Sequence, residues 1–176
     1  RETIERTSFA TLREGQAVNI ERSMPVTGRF HGHVVSGHVD GTGVLLEKRH
    51  EPGQVWITVK VPPRLRVHLV EKGSVTVDGV SLTVTEVTTD TFSVALIPHT
   101  LALTTLGEKT AGSLVNLETD PLGKWVHQLL AAFVPGIPPL HGEPEASSSE
   151  SGRIVRPGAA FSETLEPLKN LGLAQE

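Results

Sequence analysis

Between residues 24 and 99 apolar and polar residues alternate in short runs. Val55-Trp56-Ile57-Thr58-Val59-Lys60-Val61 changes character at nearly every step, as a strand with one buried face requires, and Pro62-Pro63 ends it. Val34-Val35-Ser36-Gly37-His38-Val39 and Val44-Leu45-Leu46 read as two further strands around Gly41-Thr42-Gly43. Leu65, Val67, Leu69 and Val70 predict a helical turn. The clearest local signal is Val75-Thr-Val77 and Val80-Ser-Leu82-Thr-Val84 flanking Asp78-Gly79. Asp-Gly between β-formers tolerates positive φ and matches strand twist, so a two-residue hairpin is predicted. Phe92-Ser-Val94-Ala-Leu96-Ile97 adds a strand that Pro98 stops. Many short strands with no long helix between them predict an all-β antiparallel barrel or sandwich. The period then changes. Leu122, Trp125, Val126, Leu129, Leu130 and Phe133 fall at helical spacing after Asp120-Pro121, a capping residue and a first-turn proline, and Pro135 closes the segment. The stripe would suit either the barrel or another subunit. From Pro135 the chain is rich in Pro, Gly, Ser and Glu. Residues 135–176 are predicted to be a disordered tail, with a transient helix around 161–172.

The chain also repeats itself. Thr3, Thr7, Gly15, Val18, Asn19 and Glu21 recur at a constant offset as Thr100, Thr104, Gly112, Val115, Asn116 and Glu118, and Ile4 and Ile20 pair with Leu101 and Leu117. The offset exceeds the roughly 20–50 residues of a solenoid unit, so it predicts a duplicated domain. The second copy follows a long β-rich segment and the first follows two residues. The expected organisation is the end of a first domain at 1–23, a whole second domain at 24–119, a helix at 120–134 and the tail. The chain is thus expected to be N-terminally incomplete, with residues 1–23 packed as a barrel edge exposing Phe9 and Val18.

Composition narrows the class. With 176 residues, 38% of them hydrophobic, the chain can fill one core comfortably. A net charge of −4 argues against a nucleic-acid partner, which favours basic patches. No run of apolar residues is long enough to span a membrane. There is no Cys, which excludes disulfides, thiolate metal sites and a Cys nucleophile within these residues. A cytoplasmic location is the default expectation.

Few residues carry chemistry by pattern alone. His31 and His33 share a face if their segment is a strand, and two imidazoles can begin a zinc site. His38 would lie on the opposite face, and no further ligand is evident, so metal binding is not predicted. A histidine beside glycines at a barrel rim, bonding or moving a proton, is the preferred reading of His38. Ser81 and Thr83 alternate with Val80, Leu82 and Val84, so their hydroxyls face away from the core, where either solvent or a polar ligand can meet them. Lys72 before Gly73 reads as a solvated lysine. The sequence has no phosphate-cradling loop and no nucleophile triad, and spacing alone names no reaction.

The motifs His33-Val-Val-Ser-Gly-His-Val-Asp-Gly41, Lys72-Gly-Ser-Val-Thr-Val-Asp-Gly-Val-Ser-Leu-Thr-Val84, Leu96-Ile-Pro-His-Thr-Leu101, Thr104-Thr-Leu-Gly107 and Val115-Asn-Leu-Glu-Thr-Asp120 resemble the C-terminal half of the riboflavin synthase family. The resemblance runs in register over residues 1–134. It implies two six-stranded Greek-key barrels followed by a helix, the barrel at 24–119 being the second, and a homotrimer. It implies an enzyme, a transferase that dismutates two molecules of 6,7-dimethyl-8-ribityllumazine into riboflavin and 5-amino-6-ribitylaminouracil by moving a four-carbon unit, with no cofactor and no metal. One substrate would sit in each barrel type, so residues 1–176 alone are expected to form little riboflavin. The implied substrate contacts are Gly37, His38, Val39, Lys72, Ser81, Leu82, Thr83, Ala95, Leu96, Ile97, Pro98, His99 and Thr100. His38, Asp120 and Ser81 are the implied catalytic groups. His99 departs from the family, which carries an acidic residue there. The alternative is a non-catalytic lumazine- or flavin-binding protein of the lumazine-protein type.

Overall fold

The computed structural model describes residues 1–30, 32–134, 136 and 137. His31, Pro135 and the tail from 138 onward, including the expected helix at 161–172, lie outside the described residues. The chain opens with α1 (Glu2–Arg6) and a 3₁₀ turn (Ser8–Thr11). Strands β1 (Gly41–Glu51) and β2 (Gln54–Lys60) follow, then α2 (Pro63–Arg66), β3 (Ser74–Val77), β4 (Val80–Val87) and β5 (Thr91–Leu96). Next come α3 (Pro98–Leu103), a 3₁₀ turn (Thr105–Gly107), β6 (Leu114–Thr119) and α4 (Pro121–Phe133).

The six strands close into an antiparallel barrel in the order β1-β2-β5-β4-β3-β6, with β6 returning to β1. Closure leaves no sheet edge unpaired. The β2–β5 and β3–β6 neighbours are far apart in sequence, which gives the Greek-key connection. Inward positions fall at period 2. Leu45, Ile57, Val59, Val75, Val77, Val84, Phe92, Val94, Leu96, Val115 and Leu117 are all at most 2% exposed. Burying each such side chain contributes about 1.5–3 kcal/mol, and these side chains pack together as one core inside the barrel. Gly43 lets β1 approach β2: a Cβ there would lie 2.7 Å from Val59 Cγ1 and 2.8 Å from the Lys60 carbonyl oxygen. The predicted hairpin is present. Val77 pairs with Val80 across Asp78 and Gly79, whose φ values are 47° and 82°. Two positive φ values in a two-residue loop make the turn that follows the right-handed twist of its strands.

Residues 34–39 were expected to be a strand and are not one. They form bends and irregular backbone, with Val34 and Val35 exposed. Gly37 there takes φ 78°, and the segment is held by side-chain bonds rather than by a ladder. Residues 16–21, the counterpart of β6, also form no strand. They lack the two flanking strands that β6 has among the described residues.

Residues 1–15 nonetheless repeat the local structure of 98–112. Thr7 Oγ1 donates to the Thr3 carbonyl at 2.6 Å, and Thr104 Oγ1 to the Thr100 carbonyl at 2.7 Å. Gly15 and Gly112 both turn left-handed, at φ 84° and 88°. The two copies also bond each other. The Ser8 N–H donates to Asn116 Oδ1 at 2.7 Å, and the Thr105 N–H donates to Asn19 Oδ1 at 2.8 Å. Asn19 Nδ2 further donates to the Asp78 carbonyl at 2.8 Å. Phe9 and Val18 are exposed, as expected of this segment.

Helix α4 matches its predicted span. Leu122, Trp125, Val126, Leu129, Leu130 and Phe133 are each exposed.

Candidate functional site

The site builds on the outer face of β3, β4 and β6. Thr76 on β3 stands opposite Ser81 on β4 and opposite Glu118 on β6, so three polar side chains share one patch of the barrel exterior. The segment from Gly32 to Asp40 crosses this patch. A Cβ on Gly32 would collide with Ser81 Oγ, which explains the glycine there. The His33 ring then spans two hydroxyls, with Nδ1 2.8 Å from Ser81 Oγ and Nε2 3.2 Å from Thr76 Oγ1. Three residues on, the Ser36 N–H and Ser36 Oγ both donate to Glu118 Oε1 at 2.7 Å, and the Gly37 N–H donates to Oε2 at 3.0 Å. Glu118 is only 3% exposed. A buried carboxylate is costly unless donors surround it, and these three supply that. His38 Nδ1 lies 2.9 Å from Ser36 Oγ, with the imidazole exposed. The segment is fastened at its end by Asp40 Oδ2, which accepts from the Thr119 N–H and hydroxyl at 2.8 and 2.9 Å.

The remaining predicted residues are spread around this core. Ser81 and Thr83 are exposed and Leu82 leans on the barrel core, as the alternation predicted. Lys72 sits in the tight turn before β3 at φ 63°. Its N–H donates to the Val84 carbonyl at 2.8 Å, and the residue is exposed. Val39 is half-buried just before β1. Ala95 and Leu96 end β5, the strand beside β4, and Leu96 points inward. Ile97, Pro98 and His99 are exposed at the start of α3, and Thr100 is half-buried within it. Asp120 caps α4: its Oδ1 accepts from the Leu122 N–H at 2.9 Å. Glu118 is linked to His38 through the Ser36 hydroxyl. An open hollow of about 460 Å³ lined by Lys48, His50, Pro98, Leu101, Thr104 and neighbours shares only Pro98 with the predicted contacts. Among the described residues no group of three or more His, Cys, Asp or Glu could hold a metal ion.

The family model of the lumazine binding domain matches residues 36–120, from the serine beneath His38 to the cap of α4. Residues 36–120 belong to the lumazine binding domain family. The chain is 47% identical over 129 residues to riboflavin synthase of Actinobacillus pleuropneumoniae and 48% identical over 129 residues to that of Bacillus subtilis strain 168. Each alignment covers 73% of this chain and 60% of the relative, so the chain spans about three fifths of the length of the curated relatives it matches. A crystal structure of LumP complexed with riboflavin is similar, with TM-score 0.61 and 28% identity, covering 67% of this chain and 64% of that one. LumP complexed with 6,7-dimethyl-8-(1'-D-ribityl) lumazine shares the fold, with TM-score 0.60 at 24% identity, covering 68% of this chain and 63% of that one.

Sequence reasoning missed Ser36 and Glu118. A signal for Glu118 was present: it is one of the few polar residues identical in both copies of the repeat, as Glu21 and Glu118.

Proposed function

We propose that this lumazine-binding barrel belongs to a riboflavin synthase, dismutating two molecules of 6,7-dimethyl-8-ribityllumazine into riboflavin and 5-amino-6-ribitylaminouracil by four-carbon transfer. The observation that carries the reading is the identity of 47–48% over 129 residues to two riboflavin synthases. On this reading the ligand lies outside the filled barrel. Ser81 and Thr83 hydroxyls bond its polar edge, Gly37 to Val39 and Ala95 to Thr100 flank it, and Lys72 supplies positive charge. His38 takes a proton from the 7-methyl group, with Ser81 and Asp120 nearby. Residues 1–23 are the end of a preceding barrel of the same kind. The active assembly is a homotrimer in which the apolar stripe of α4 is covered, and substrates from two barrels stack, so that proximity supplies much of the rate.

The second reading, a binding protein that catalyses nothing, is supported by the likeness to LumP with bound riboflavin. Ribityllumazine titration followed by fluorescence tests binding, and riboflavin appearance by absorbance tests turnover. Binding with riboflavin formation is expected. Binding with no riboflavin from the complete enzyme would favour the LumP-like reading, and no binding would remove both.

A further inference from the structure

The exposed His38 has a neighbour whose hydrogen is already committed. Glu118 in its ionised form can only accept. Ser36 Oγ lies 2.7 Å from Glu118 Oε1, so the single hydroxyl hydrogen of Ser36 points at the carboxylate. Toward His38 Nδ1, 2.9 Å away, Ser36 Oγ then has only lone pairs to offer. That contact is a hydrogen bond only if Nδ1 carries the proton.

We infer that Ser36 and Glu118 are positioning residues that hold neutral His38 in its Nδ1–H tautomer, leaving the Nε2 lone pair as the proton acceptor. The inference rests on the riboflavin synthase reading only for the use made of that lone pair. In that use the C–H bond of the 7-methyl group breaks and an Nε2–H bond forms. The electron pair stays on the lumazine as an anion, and the imidazolium is stabilised through Ser36 by the Glu118 carboxylate. The anchoring geometry favours one ring orientation, because the Ser36 and Gly37 N–H groups lock the backbone of the segment to the same carboxylate. A partner that sets both the tautomer and the charge state of a histidine is a familiar arrangement where imidazole does proton chemistry. Here it is assembled from a buried strand residue and a segment about 80 positions away in sequence.

The test is long-range ¹H–¹⁵N correlation of the imidazole nitrogens in the full chain without ligand, with His38 assigned from a His38→Gln comparison. The parent is expected to show His38 protonated on Nδ1. Ser36→Ala, an exposed substitution that leaves the barrel core alone, is expected to invert the ratio toward the Nε2–H form, and Ser36→Thr to keep the parent pattern. Backbone amide spectra verify that each variant is folded. An Nε2–H His38 in the parent, or an unchanged ratio in Ser36→Ala, would overturn the inference. Ribityllumazine titration of the same samples separates it from the functional reading. No binding with an Nδ1–H His38 supports the positioning and removes the reading. Binding with an Nε2–H His38 removes the positioning and leaves the reading intact.

Discussion

Gly37 carries two duties at once. Its N–H reaches Glu118, and its φ of 78° is one that side chains with a Cβ resist. A Cβ added there would meet nothing within 4 Å, so the cost of Gly37→Ala is conformational rather than steric. We expect a loss of about 1–2 kcal/mol, measured by urea unfolding; no change would mean that the segment relaxes without its left-handed residue. Ser81 and Thr83 give a second measurement. Neutral hydrogen bonds are worth about 0.5–1.5 kcal/mol each, so Ser81→Ala with Thr83→Val should weaken ribityllumazine binding by roughly the sum of two such bonds. Unchanged affinity would remove both hydroxyls from the site. Their outward direction was legible in the alternation of β4. The role of Glu118 was not. Strand period marks it as a solvent-facing residue, whereas in the fold it is buried and Ser36 and Gly37, from far along the chain, bond its carboxylate.

Among the elements, the strands that pair locally were the legible ones. The β3–β4 hairpin, β2 before Pro62 and β5 before Pro98 carry their stop signals within a few residues. The stretch 34–39 has the β-branched composition of a strand but makes no ladder, because what it meets is a row of side chains on the barrel exterior. The 3₁₀ turn at Thr105–Gly107 is likewise decided at a distance. Lys48 Nζ, from β1, donates to the carbonyls of Leu106 at 2.9 Å, Gly107 at 2.6 Å and Lys109 at 3.2 Å. Removing a charged donor from such carbonyls costs roughly 1–3 kcal/mol, so Lys48→Met should lower stability by that order in urea unfolding. Burial also pulls the Lys48 ammonium below its ordinary 10.5. Between that lowered value and 10.5 the unfolded chain binds more protons than the folded one, so this group makes stability rise with pH across the window. The rise should be smaller in Lys48→Met; an identical alkaline slope would show that the ammonium is not desolvated.

At the scale of the whole molecule, the repeat read from six identical residues reappears as matched structure. It includes the same threonine-to-carbonyl bond, the same left-handed glycine, and an asparagine in each copy that accepts from the backbone of the other. Asn19→Ala should release residues 8–23 while leaving the closed barrel folded. We expect faster amide exchange and proteolysis in that segment, with a cooperative barrel transition retained. If protection of 8–23 is unchanged, the Asn19 bonds do not hold it. The paired bonds have a further meaning. Ser8 to Asn116 and Thr105 to Asn19 are the contact of residue i with j and of j with i that defines an isologous interface, here between two halves of one polypeptide. A self-complementary contact of this sort is what the two subunits of a symmetric dimer present to each other. Substitutions at the two asparagines therefore probe one contact from its two sides: Asn19→Ala removes the acceptor of the Thr105 N–H, and Asn116→Ala removes that of the Ser8 N–H.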